Sequence, residues 1–466
     1  MRRAWAAGLV AAALFALVGG LRFFSFHSSA YDLGFFDQVI WNASQGHGLS
    51  SSFLAYSFFG EHFEPVLLIF LPIYWIHASP LWLLAAQSLA LGLAVVPLFH
   101  LTLEWLGARS AWIAVLGYVL QLAVARTVAF DFHTEARAVP FVLLALLAAV
   151  RNQRGIFIAA SLVPLICKED GALLGLALGL FVFILLRRRV ALLLAGISVA
   201  WGIVIVLAVM PAYRHGAAGD LILRYAYLGS SPAAILLHLF TMPWTWIGHL
   251  GGSGAVGAVA ITLLGLGLLP LARPILLLCA LIPLVPSLLS ADPIQANLHL
   301  HYGIGAVPLL TATALLGWQR LSSLSATKLV APAALLVGSG AIFALLSPIP
   351  NLIRSDSSDL QRRDGVLSAL RRIPPGATLA ASTNLVPALS ERVTIDEIPC
   401  GAGTDEWVAV DARTRPSDQS LMAGAANAIA ALPERGYRPV AASAGVTVWT
   451  LPQAVNQAPA DCSPSR

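Results

Sequence analysis

Charge is what this sequence has least of. Asp, Glu, Lys and Arg make up only 11% of its 466 residues, where an ordinary soluble domain has about a quarter, and hydrophobic residues make up 58%. Water is thereby excluded as the main solvent of the fold. The four cysteines include no pair at CxxC spacing, which excludes a zinc ribbon or a thioredoxin-type redox motif. A P-loop and a glycine-rich dinucleotide fingerprint are also missing, so nucleotide chemistry has no motif to rest on. The net charge of +5 does not form a nucleic-acid stripe, because the basic residues sit in short clusters between apolar runs, such as Arg151 with Arg154 and Arg187 to Arg189. Such clusters are topology signals.

What is present is a succession of apolar runs. In lipid every backbone polar group has to be bonded internally, so runs of roughly 20 residues cross as helices. The pattern predicts eleven spans, at about 5–22, 80–102, 111–128, 137–150, 155–168, 171–186, 190–211, 254–272, 275–291, 301–318 and 330–347. Residues 1–20 could also be read as a cleaved signal peptide, but Arg22 and three Phe stand between the run and the small residues Ser28 and Ala30, which favours an uncleaved first span. With the N-terminus cytoplasmic, Arg109, Arg151, Arg154, Arg187 to Arg189, Arg273, Arg320 and Lys328 all fall on the inner side, as the positive-inside rule requires. Segments 63–78 and 233–250 are left over as interfacial or re-entrant helices.

From Asn351 the composition turns polar. β-rich runs at 377–382, 392–398, 407–411 and 446–451 and amphipathic patterns at 357–373 and 420–434 predict a small α/β domain. The expected organisation is residues 1–350 as a transmembrane helical domain, with a first outer loop at 23–79, and residues 351–466 as an extracytoplasmic α/β domain. Cys400 and Cys462 share that compartment and could pair. Asn384 follows a predicted strand, either as an acceptor contact or as a helix cap.

This topology places on the outer side Asp32 and Asp37; Glu61, His62 and Glu64; Asp131, His133, Glu135 and Arg137; Lys168, Glu169 and Asp170; and His299 with His301. Solvated loop residues would explain any one group. Yet the cytoplasmic turns hold almost no acid beyond Glu104, and short outer turns keep their side chains close enough to converge on one cavity. Asp32 or Asp37 could take a proton from an acceptor hydroxyl, or could cap a loop helix. Lys168, Arg137 or Arg126 could pair with a phosphate leaving group, although Lys168 could equally snorkel from its span. The histidines could hydrogen-bond phosphate or sugar, or hold a divalent cation with nearby carboxylates. No cofactor is fixed by the pattern, and a divalent cation stays an open alternative.

The segments YDLGFFDQVIWNASQGHGLS, GEHFEPVLLIFLPIY, AAQSLALGLAVVPLF and DFHTEARAVPF, the outer KED, and ASTNLVPALSERVTI with WVAVDAR in the tail resemble a bacterial family of predicted membrane proteins of unknown function. That family is similar in architecture to the GT-C glycosyltransferases, polytopic enzymes with acidic residues in the first extracytoplasmic loop. The resemblance implies a mainly α, GT-C-like helical bundle of about eleven spans with a C-terminal α/β domain. It implies membrane lipids, a polyprenyl-phosphate sugar donor and an unidentified acceptor as partners, no nucleic acid, and a catalytic role for Asp32 and Asp37. Four residues separate these two acids, and the adjacent-acid pair common in GT-C enzymes is lacking. A transporter or lipid flippase, or a non-catalytic envelope scaffold or sensor, are the rival readings.

Overall fold

A computed structural model describes residues 2–215, 220–323, 329–414 and 419–452 of the protein; Lys328 and Cys462, and with it the Cys400 pairing, lie outside them. Helices occupy every predicted span. Among the described residues, four are long and apolar enough to cross a membrane on their own: Arg2–Phe24, Leu81–Leu106, Arg189–Arg214 and Val330–Leu370. Two bent pairs raise the number to six. The remaining predicted spans coincide with shorter helices, including Ala138–Val150, Arg154–Cys167, Gly171–Leu186 and Pro274–Leu288. Prolines such as Pro164, Pro283 and Pro286 remove backbone donors inside several of them and break them into shorter pieces.

The bent pairs show where the sequence pattern read the spans too simply. Residues 111–128 form Ala108–Val119 and Leu122–Val128, bent by 51°, and the leftover 233–250 segment supplies Pro243–Gly252, joined at 64° to Ala255–Gly265. The second bend falls at Gly254, whose φ is +81° and where a Cβ would lie 2.3 Å from Asn297 Oδ1. Only glycine fits both demands. Segment 63–78 is a 3-10 turn, Pro65–Phe70, followed by the short helix Leu71–Ile76.

The chain divides into two compact units: Met1–Leu17, Phe59–Val66 and Ala86–Ile349 form unit 1, and Val18–Phe58, Leu67–Ala85 and Pro350–Arg466 form unit 2. In unit 1 the connections at the two ends of helices Ala138–Val150, Arg154–Cys167 and Gly171–Leu186 differ in charge. At one end Arg151 Nε donates to Glu104 Oε1 at 2.9 Å and Arg188 Nη1 to Asn152 Oδ1 at 2.6 Å. The connections holding Asp131 to Arg137 and Lys168 to Asp170 lie at the opposite ends of the same helices.

Unit 2 is built on a five-stranded sheet: β1 (Leu379–Ala381), β2 (Ile395–Glu397), β3 (Trp407–Asp411), β4 (Arg438–Ser443) and β5 (Val446–Thr450), in the order β2-β1-β3-β5-β4. β1 runs parallel to β2 and β3, while β5 is antiparallel to β3 and β4. Alternation along the strands gives two cores. Leu379, Ala381, Ala409 and Val448 pack with Val366 and Leu370 of helix Arg363–Leu370, whereas Ala380, Val408 and Val410 pack with Ala425 and Ala428 of helix Gln419–Ala430. Phe26 and Ala30, from the stretch after the first helix, complete the first core. Full burial of an apolar side chain such as Val366 or Leu370 stabilises by about 1.5–3 kcal/mol, so this stretch is an integral part of the domain.

β4 was not predicted. It is a mostly exposed edge strand carrying Pro439, the one kind of strand that tolerates proline. Ala444 and Gly445, both at positive φ, turn it into β5.

Candidate active site

Short turns between packed helices leave little slack, and in unit 1 they bring together charges that are distant in sequence. Lys168 Nζ donates to Glu135 Oε1 at 2.6 Å, His62 Nδ1 lies 3.0 Å from Glu169 Oε1, and the Phe63 amide donates to Glu169 Oε2 at 3.1 Å. His301 enters from the segment before helix Val307–Ser322, with Nε2 3.9 Å from Glu135 Oε1 and its ring stacked on His133 at 3.3 Å between centroids. The Arg137 guanidinium lies over the Phe132 ring at 4.7 Å. Glu61, Asp131 and Arg137 are all buried.

Two supports of this cluster went unread in the sequence. Gln87 donates to the carbonyls of Thr127 and Asp131, at 3.2 and 3.1 Å, and accepts from the His133 amide at 2.7 Å, so one side chain clamps the backbone of the His133 loop. The readable signal was a lone amide in an apolar helix, expensive unless bonded. The second support is the loop before His301, where Leu298 and Leu300 both sit in the left-handed region, at φ 51° and 54°. Such non-glycine residues store strain, and no residue pattern announces them. Their backbone sends the two histidines different ways: His301 joins the cluster, while His299 is exposed and lines a separate cavity with Arg126. Asp292 accepts from the Ile294 amide and caps a short helix.

The electrostatics follow from burial against pairing. Burial raises Glu64 to about 8 against the pull of His62 and Lys168; it is 1% exposed, and neither carboxylate oxygen has a hydrogen-bond partner. Burial likewise pushes Asp170 up to about 7. For Lys168 burial works downward, but Glu135, Asp170 and Glu169 outweigh it and hold the ammonium well above its ordinary value. His62 is raised in the same way, its burial outweighed by Glu169. Burial acts upward on Glu135, yet Lys168 holds its carboxyl well below the usual range. His301 is lowered, by burial and by His133. The cluster is therefore two ion pairs, Lys168 with Glu135 and His62 with Glu169, next to a neutral acid and a neutral imidazole. Among the described residues no three His, Cys, Asp or Glu side chains are placed to hold one metal ion. The alternation of Asp131, His133 and Glu135 makes no such set, because the chain passes from extended at His133 into the 3-10 helix Thr134–Arg137.

Asp32 and Asp37 belong to unit 2 and differ from each other. Asp32 lies half-buried on the helical turn Ala30–Gly34, where Ser29 Oγ donates to its Oδ2 at 2.7 Å. Asp37 is fully buried, and both its oxygens accept, Oδ1 from Tyr74 at 2.6 Å and Oδ2 from Ser390 at 2.7 Å. Burial raises it to about 7 against the Tyr74 hydrogen bond. Gln38 is used alike, donating to Ser52 and to the carbonyls of Arg392 and Val393. A Cβ on Gly34 would meet Val386 at 2.7 Å. Much of the YDLGFFDQ stretch thus fastens the first loop to the tail. Asn384, in place of capping a helix, donates to Asp411 Oδ2 at 2.8 Å at the end of β3.

A family model for predicted membrane proteins, DUF2079, matches residues 22–448. The chain belongs to that family. No curated protein matches the sequence. Among solved structures, that of ArnT from Cupriavidus metallidurans in the apo state is 13% identical, covering 95% of this chain and 98% of that chain at a TM-score of 0.51. The structure of ArnT from the same organism bound to undecaprenyl phosphate is 12% identical, covering 95% and 97% at 0.48. The apo likeness shows the fold: this DUF2079 member is a membrane protein with an ArnT-like architecture and a small C-terminal sheet.

Proposed function

We propose that the protein is a membrane glycosyltransferase that takes a sugar from a polyprenyl-phosphate donor at the extracytoplasmic face. The N-terminus is cytoplasmic in this reading and the sheet domain extracytoplasmic. The observation that carries it is the sorting of charge in unit 1, with Arg151, Arg154 and Arg187 to Arg189 at one end of the helices and two partly buried ion pairs at the other. Under the positive-inside rule the second end is the outer one, where a lipid-linked sugar is presented.

In the reaction the acceptor hydroxyl oxygen forms a bond to the anomeric carbon, and the bond from that carbon to the phosphate oxygen breaks. The electron pair leaves with polyprenyl phosphate, and the hydroxyl proton passes to a carboxylate. Lys168, His62 and Arg137 receive the phosphate. Lys168 and His62 already have carboxylate partners, so an arriving phosphate shares their N–H donors with Glu135 and Glu169, which keeps those carboxylates paired. Asp32 is the proposed proton acceptor, since it is half-buried where Asp37 is sealed between Tyr74 and Ser390. In purified protein reconstituted in lipid, Asp32→Asn should lower kcat by roughly 100-fold or more, the usual worth of a general base. Lys168→Met should raise the donor KM. Wild-type kinetics in both variants would defeat the assignment.

A further inference from the structure

Unit 1 holds a cavity of about 300 Å³ that shares no lining residue with the charged cluster. Its walls come from one arm of each bent pair, Leu122–Val128 and Ala255–Gly265, the segment 297–303, the start of Val307–Ser322 and the helix Val330–Leu346. Along Ala255–Gly265 the lining residues include Gly257, Ala258 and Gly265, whose missing bulk leaves the space. Of its polar lining, Arg126, Asn297 and His299 mark one end, with Asn297 against Gly254, while Gln121 and Thr262 lie further along their helices. Arg126 lies in the last turn of Leu122–Val128, next to the connection that carries the cluster, so this end is at the membrane boundary and the apolar part runs into the hydrocarbon.

Among the described residues no carboxylate forms an ion pair with Arg126. Its hydrogen-bond acceptor is the carbonyl oxygen of Leu298, at 2.8 Å. The nearby His299, largely exposed, is held below its ordinary value by partial desolvation and by Arg126 itself. A guanidinium without a carboxylate, set over an apolar cavity at a bilayer boundary, calls for an anionic headgroup with a chain below it. The volume is at the lower limit of small-molecule sites, roughly 300–1,000 Å³, which suits part of one acyl chain and not a polyprenyl tail.

We propose that this cavity is a site for an anionic membrane phospholipid, with one acyl chain between the bent helices and the phosphate on Arg126 and His299. The site is separate from the proposed sugar-transfer reaction and stands whether or not that reading holds.

The test is lipid binding by the full-length protein. Delipidated protein in neutral detergent is titrated with phosphatidylglycerol or phosphatidylcholine, and bound lipid is counted by native mass spectrometry. Wild type should prefer the anionic lipid about fivefold at a single site, the ratio one basic side chain supplies near an anionic surface. Arg126→Gln keeps an N–H for the Leu298 carbonyl and should lose that preference. Ala258→Phe fills the cavity with Arg126 intact and should lose the site. Equal binding of the two lipids by wild type, or an unchanged preference in Arg126→Gln, would overturn the proposal. So would displacement of the bound lipid by a polyprenyl phosphate at equal concentration, which would give the cavity to the sugar donor.

Discussion

Replacing Glu64 with glutamine tests the electrostatics of the cluster without removing its ion pairs. Burial moves this carboxyl from its ordinary 4.5 to about 8 and leaves both oxygens without a partner. The acid is therefore protonated in the fold and ionised in the unfolded chain at neutral pH. Its contribution to stability is fully present below about 4.5 and is lost as pH rises toward about 8. At pH 7 the loss from this one group comes to about 3 kcal/mol by linkage. Glutamine has the same shape and does not titrate. The assay is the thermal midpoint of wild type and Glu64→Gln in detergent, taken in steps from pH 4.5 to 8.5. Wild type should fall relative to the variant across that window, with the gap opening steadily and levelling above about 8. Parallel curves would mean that Glu64 is solvated or paired, and the neutral-acid description of the cluster would fail.

Two further outcomes follow from unit 2. Asp37→Asn and Tyr74→Phe each disturb a fully bonded buried carboxylate, and each should cost about 1–3 kcal/mol of stability, with any loss of transfer tracking the folded fraction. Asp32→Asn should keep its melting temperature and lose turnover, and the reverse pattern would exchange the roles of the two acids. His27 lies 2.6 Å from Asp356 and 2.8 Å from Asp359, and the Asp356 hydrogen bond is the largest cause of its raised pKa. Its stabilisation should be complete below about 6.5 and disappear as pH rises through the raised value. Melting curves in which His27→Gln and wild type converge at acid pH and diverge at alkaline pH would contradict this.

Features that depend on local pattern were readable from the residues. Apolar run length gave the helices, alternation gave β1, β2, β3 and β5, and the acid and histidine content of alternate turns marked the connections that meet around Lys168. Features that depend on distant partners were not. Asp37 reads as an available acid until Ser390, 353 positions away, is seen to donate to it. His299 and His301 look equivalent until two left-handed leucines separate them. The bend at Gly254 escaped because apolar composition says nothing of direction, and β4 because an exposed edge strand with a proline has no buried face to leave a period.

Donor turnover by the unmodified protein bears most directly on the central claim. Purified protein in lipid discs should be incubated with a radiolabelled polyprenyl-phosphate sugar and envelope glycolipids, and the lipid products separated by chromatography. The account predicts release of polyprenyl phosphate at a rate set by protein concentration, with label appearing in a second lipid or glycan. An intact donor after prolonged incubation, together with protein-dependent movement of that lipid between leaflets in vesicles, would contradict it and mark the fold as a transporter.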